Sequence, residues 1–124
     1  MRPDRDPRER FPRSVYADGE EPDPRFSLAN ERTFLAWIRT ALAFMAAGLA
    51  IEALQVPIHQ WLRAIIAVVL VLAGLAATAQ AWLAWTRTER AMRRRTPLPS
   101  SGLKLPIVLM LGLVAIGVLG SVLL

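Results

Sequence analysis

The sequence predicts an all-α polytopic membrane protein: three transmembrane helices, with an amphipathic N-terminal helix leading into the first. Three observations carry this. Hydrophobic residues make up 54% of the 124 residues, and they fall into long blocks, not into the dispersed pattern of a globular core. Each block is near the length of about 20 residues that a helix needs to cross a hydrocarbon core. Arginine and tryptophan stand at the block edges, where chains pass from water to lipid. The chain has no cysteine and one histidine, His59, so no disulfide, cysteine-based metal site or histidine cluster is expected within it. His59 reads as a loop or interface residue, and no metal or cofactor is predicted.

Residues 1–25 read as a disordered, charged, proline-rich cytoplasmic tail. Arginines at 2, 5, 8, 10, 13 and 25 face acids at 4, 6, 9, 18, 20, 21 and 23, and prolines stand at 3, 7, 12, 22 and 24. Prolines remove backbone donors, and so polar a segment has little to bury. It lacks the apolar core of a signal peptide, so the first membrane helix is expected to stay as an anchor. The tail is net −1 and the whole chain +5, which leaves +6 on residues 26–124, the expected membrane domain. Those charges sit beside apolar spans, where topology explains them, and no nucleic-acid partner is predicted.

The stretch Phe26 to Ile51 begins charged, passes Phe34 and Trp37, carries its last charge at Arg39 and then turns apolar. On a helix of 3.6 residues per turn, positions seven apart nearly coincide. Arg25, Arg32 and Arg39 therefore form one basic stripe. Asn30, Phe34, Trp37, Ala41, Met45 and Gly48 lie on roughly the opposite side. Two uses of the stripe compete: gripping anionic headgroups at the membrane surface, or forming stacked basic rings at the mouth of an anion path in an oligomer.

The first span is expected at about 38–56, a rise of about 28 Å, with Pro57 ending it. Glu52 lies about one turn earlier, close enough to the interface to reach water near Gln55; the alternative is that the helix slides outward in an oligomer and Glu52 gates or pairs with Arg63. The short link from Gln55 to Trp61 makes spans one and two an antiparallel hairpin. The second span, about 62–86, ends in an aromatic belt of Trp82 and Trp85 and carries a small-residue stripe of Ala73, Ala77 and Ala81 with Gly74 and Thr78. The segment after it holds Arg87, Arg90, Arg93, Arg94 and Arg95 against Glu89 alone, with Glu89 and Arg93 spaced for a helical ion pair. This basic loop, with Lys104 and the arginines before span one, places the N-terminus in the cytoplasm and the C-terminus outside. It also offers an anion-collecting surface. After Pro97, Pro99 and Gly102, an uncharged third span runs from about 105 to 124, with Gly112, Gly117, Gly120 and Ser121 as close-packing positions. No outer domain is expected beyond it.

The run RFSLANERTFLAWIRTA, residues 25–41, resembles the signature of the YidH family of small bacterial inner-membrane proteins, built on domain of unknown function 202. WTRTERAMRR, Trp85 to Arg94, is similar to that family's segment after its second membrane helix. With the three spans, the resemblance covers Pro24 to the C-terminus. The same domain forms the membrane part of the fungal vacuolar transporter chaperone complex, which makes polyphosphate and moves it across a membrane. The resemblance implies that Asn30, Glu31, Arg32, Thr33, Phe34 and Trp37 belong to the shared motif, and that Arg32 and Arg39 are candidates for phosphate contact. This chain has no room for a soluble polymerase domain, so synthesis does not carry over.

The first function expected is an oligomeric membrane module that binds or conducts phosphate-rich anions, phosphate or polyphosphate, through Arg32, Arg39 and Arg25. Glu31 then orients them by an ion pair, and Trp37 anchors the helix at the interface. The alternative is a structural or accessory membrane subunit whose arginines hold membrane lipids or a partner protein. An enzyme is not expected: the sequence has no nucleophile with a base, no metal-ligand cluster and no glycine-rich phosphate loop, and Glu31, Glu52 and Glu89 are expected at different depths.

Overall fold

The computed structural model describes residues 6–98, 102 and 104–123. Four α-helices follow in order: α1 (Arg13–Tyr16), α2 (Pro24–Ala53), α3 (Gln60–Arg93) and α4 (Lys104–Leu123), preceded by a 3-10 turn at Pro7–Glu9. The last three are long and apolar enough to cross a membrane. Leu124, Pro99 and the tail residues Arg2, Pro3, Asp4 and Arg5 lie outside the described residues.

α2 begins where its chemistry favours a start. Asp23 accepts the Arg25 N–H at 2.9 Å, and Pro24 occupies the first turn, where its missing donor costs nothing. From there the amphipathic segment and the first span are one continuous helix. It stops at Ala53, before the expected limit at residue 56, because Gln55 takes a left-handed φ of 47° and the Gln55 and Val56 N–H groups fold back on Glu52 and Ile51. α3 likewise absorbs most of the basic segment expected to follow it. It ends by the same device, with Arg95 at φ 54° and Thr96 N–H on Ala91 O.

α2 and α3 form the predicted antiparallel hairpin, and small residues set its seam. Ala77, Ala81 and Gly74 are buried. A Cβ added at Gly74 would stand 2.9 Å from Ala41 O, and one at Gly48 would stand 2.9 Å from Ala67 O. The backbones are therefore as close as glycine permits. Phe44, Ile66 and Leu70 make the apolar core, and Ile107, Met110, Val114 and Val118 of α4 rest against it. No described residue of α4 is buried, and Gly112, Gly117 and Gly120 face open space. Their expected close packing is thus not used within one chain.

The tail departs from its expected disorder. Between residues 6 and 23 it forms the 3-10 turn and α1, and it lies on the C-terminal end of α3, with Val15 fully buried. Helix propensity did not predict this, because the holding contacts come from residues more than 70 positions away.

Candidate functional site

The site is built where the N-terminal third of α2 meets the C-terminal third of α3. Asn30, 6% exposed, projects from the seam face of α2. Its Nδ2 donates to Trp85 O at 3.1 Å and to Glu89 Oε2 at 3.1 Å. Ser27 Oγ donates to Glu89 Oε1 at 2.9 Å. Glu89 is 3% exposed, and a carboxylate so placed needs such donors to offset its lost hydration. One turn along, Trp85 Nε1 donates to Glu31 Oε1 at 3.1 Å. The two segments that carry the family resemblance, residues 25–41 and 85–94, are therefore one polar knot tying α2 to α3.

Two expectations are corrected here. Glu89 does not pair with Arg93 four residues on; its oxygens turn across to Ser27 and Asn30, and Arg93 turns to the tail. Among the described residues Glu31 pairs with no arginine, and the indole of Trp85 donates to its carboxylate. A local spacing rule competes with donors from another helix, and inside a packed seam the cross-helix donors win.

The tail supplies a second layer that the sequence did not disclose. Arg93 is 3% exposed; its Nε donates to Asp18 O at 2.6 Å and a terminal nitrogen donates to Tyr16 O at 2.7 Å. Its other terminal nitrogen lies 3.4 Å from Glu21 Oε2. Arg94 pairs with Asp18, and Arg95 with Glu20 at 3.1 Å. Arg90 Nε donates to Ser14 O at 3.3 Å. The guanidiniums of Arg10 and Arg93 stand 4.6 and 5.4 Å from the Tyr16 ring centroid, within cation–π range. The hydrogen bond from Arg94 holds the Asp18 carboxyl below its ordinary value, and that from Arg10 does the same for Glu21. The clustering of acids at 18, 20, 21 and 23 was the available signal, but nothing local indicates where it docks.

The basic stripe of α2 lies where its spacing predicts. Asn30, Ala41 and Gly48 are buried and Phe34, Trp37 and Met45 half-buried, whereas Arg25, Arg32 and Arg39 are exposed. Arg25 is taken by Asp23 at 3.0 Å. Among the described residues, Arg32, Arg39 and Arg87 make no side-chain hydrogen bond or ion pair. Arg90, Arg93, Arg94 and Arg95, expected as an open anion-collecting surface, instead face the tail. At the far end of the hairpin Glu52 Oε1 lies 3.6 Å from Arg63 Nε, the alternative to an interfacial water contact. His59 caps the start of α3 without a side-chain bond, its ring 6.3 Å from that of Trp61. No group of three or more potential metal ligands occurs among the described residues.

The profile of a family described as "Domain of unknown function (DUF202)" matches residues 25–91, which contain both halves of the polar knot up to Glu89. Inner membrane protein YidH of Escherichia coli (strain K12) is 47% identical over 109 residues, 85% of this chain and 92% of that protein. The protein of the same name from Shigella flexneri matches with the same figures. An uncharacterized protein of Mycobacterium tuberculosis (strain ATCC 25618 / H37Rv) is 43% identical over 102 residues, 79% of this chain and 80% of its own. No solved structure matches the chain.

Proposed function

The chain belongs to the DUF202 family and is an integral inner-membrane protein; from that premise we propose that it is an oligomeric module that binds or conducts phosphate-rich anions. One observation carries this: Arg32 and Arg39 stand exposed on the side of α2 opposite the seam, without a partner among the described residues. A guanidinium in this state keeps its donors for a ligand, and phosphate matches their fork geometry. The two residues are two helical turns apart, about 10 Å along the axis. Three helices are too few to enclose a wide polar path, so conduction requires several copies that turn this stripe toward a shared axis.

Arg25, half committed to Asp23, is the weaker contributor. Asn30 and Glu31 act by fixing α2 against α3, which holds the stripe at a constant rotation. Trp37 and Arg39 mark the level at which α2 enters lipid. The charge bias supports a cytoplasmic N-terminus and end of α3, with the C-terminus on the outer side. The role is one of binding, without catalysis.

A second reading is favoured by the apolar neighbours of the stripe. Leu28, Leu35, Leu42 and Leu49 are exposed at seven-residue intervals beside it, as suits a lipid-facing helix. The protein is then a structural or accessory subunit whose arginines bind headgroups or a partner protein. The deciding experiment is the subunit count by native mass spectrometry in nanodiscs, followed by polyphosphate binding to wild type and Arg32→Gln/Arg39→Gln. A defined ring and a tenfold or greater loss of binding in the variant support the module. A monomer whose polyphosphate binding the variant leaves unchanged overturns it.

A further inference from the structure

The acidic part of the tail and the basic end of α3 meet as ligand and site. Residues 18–23 hold Asp18, Glu20, Glu21 and Asp23 with no base among them, while residues 8–13 hold Arg8, Arg10 and Arg13. Three successive guanidiniums face three of these carboxylates: Arg94 with Asp18, Arg95 with Glu20, and Arg93 with Glu21, which it shares with Arg10 of the tail itself. The fit extends beyond charge. The Glu20 N–H donates to Arg93 O at 2.9 Å, and Gly19 adopts a φ of +57° where an added Cβ would lie 2.3 Å from the same oxygen. Only glycine permits that approach. The Arg93 side chain is 2% exposed beneath this cover.

We propose that Arg93, Arg94 and Arg95 form a binding site for a multivalent phosphate, and that the segment Asp18–Glu21 is its resident occupant, displaced when the phosphate binds. Arg95 and Glu20 are largely exposed, and such a pair holds weakly by itself, whereas the Asp18 side chain beside Arg94 is 25% exposed and is the firmer contact. Tethering in the same chain raises their effective concentration to the millimolar range. A separate acidic peptide offers the same carboxylates without the tether, so it does not displace the strap. A chain of phosphates brings a higher charge density and the acceptor geometry that guanidinium prefers. Arg93 becomes reachable only after the strap lifts, so phosphate binding and strap release are one event. The site is separate from Arg32 and Arg39 and stands without them.

The chain has no cysteine, so Ala17→Cys with Leu98→Cys gives unique spin-label positions on the strap and beyond the end of α3 in the full-length protein. The distance between them is measured in nanodiscs of neutral phosphatidylcholine while inorganic polyphosphate is added at constant ionic strength. The expected result is conversion from a short to a long distance, at a polyphosphate concentration at least about threefold lower when Asp18→Asn, Glu20→Gln and Glu21→Gln are combined. A second arm replaces the neutral lipid with phosphatidylglycerol. Release there without polymer assigns the phosphate to headgroups, and release by the polymer alone assigns it to a soluble chain. An unchanged distance in both arms overturns the proposal, and so does equal release by polyglutamate of matched charge. Release that persists in Arg32→Gln/Arg39→Gln keeps this result independent of the function proposed for the α2 stripe.

Discussion

The arginines of α2 and those of α3 lie near the same end of one hairpin and share a composition, yet they differ in what surrounds them. Arg32 and Arg39 project from α2 without a partner among the described residues, whereas Arg93 is buried under the tail and Arg94 and Arg95 are paired with it. Counting charges treats the two sets alike and yields topology. Partners separate them: the donors of Arg93, Arg94 and Arg95 are held by the tail and reach a ligand only once it lifts, whereas those of Arg32 and Arg39 need no such release.

The sharpest way to break this contrast is Arg93→Ala. It strips the Tyr16 and Asp18 carbonyls of their donor and should weaken tail docking by about 2–3 kcal/mol, read as faster hydrogen exchange over residues 13–21. Arg93→Lys should recover less than half, because an ammonium lacks the planar fork. Asn30→Ala tests the layer beneath. The buried Glu89 carboxylate loses a donor, which should cost about 2 kcal/mol in detergent unfolding. Arg94 and Arg95 should keep their pairing with the tail.

Acidification separates the sets by titration. Asp18 is held below its ordinary value by Arg94 across the contact with α3, while Glu21 is lowered chiefly by Arg10 within the tail, so the docking contribution of Asp18 is complete above the ordinary carboxylate range. It is lost as pH falls through the depressed value. The label distance between positions 17 and 98 should therefore hold at pH 5 and lengthen only in strong acid. The smallest effect belongs to the α2 stripe. Arg32→Gln and Arg39→Gln should each change stability by no more than about 0.5 kcal/mol, measured by the same detergent unfolding; a larger loss would mean that these side chains hold structure after all.

The sequence made the spans legible because apolar blocks of membrane-crossing length leave few alternatives. The rotation of α2 was legible too, since seven-residue spacing placed Arg25, Arg32 and Arg39 opposite Asn30, Ala41 and Gly48, and the structure buries the latter. The polar knot was half legible. Asn30 and Glu31 stood out by resemblance, but their partners Trp85 and Glu89 are more than 50 residues away, and the local rule pointed Glu89 at Arg93. The tail was misread because proline and charge argue against regular structure, and the order found there comes from Arg90, Arg93, Arg94 and Arg95. Contacts across such separations leave no local period.

The pair of Glu52 with Arg63 bears on how the protein reaches its membrane. The two sit on opposite arms of one hairpin close to the link that joins them, where charged side chains can reach the interface. Because the two charges offset each other only when both arms are present, α2 and α3 are expected to insert as one hairpin. α4, free of charge after Lys104, is able to follow by itself.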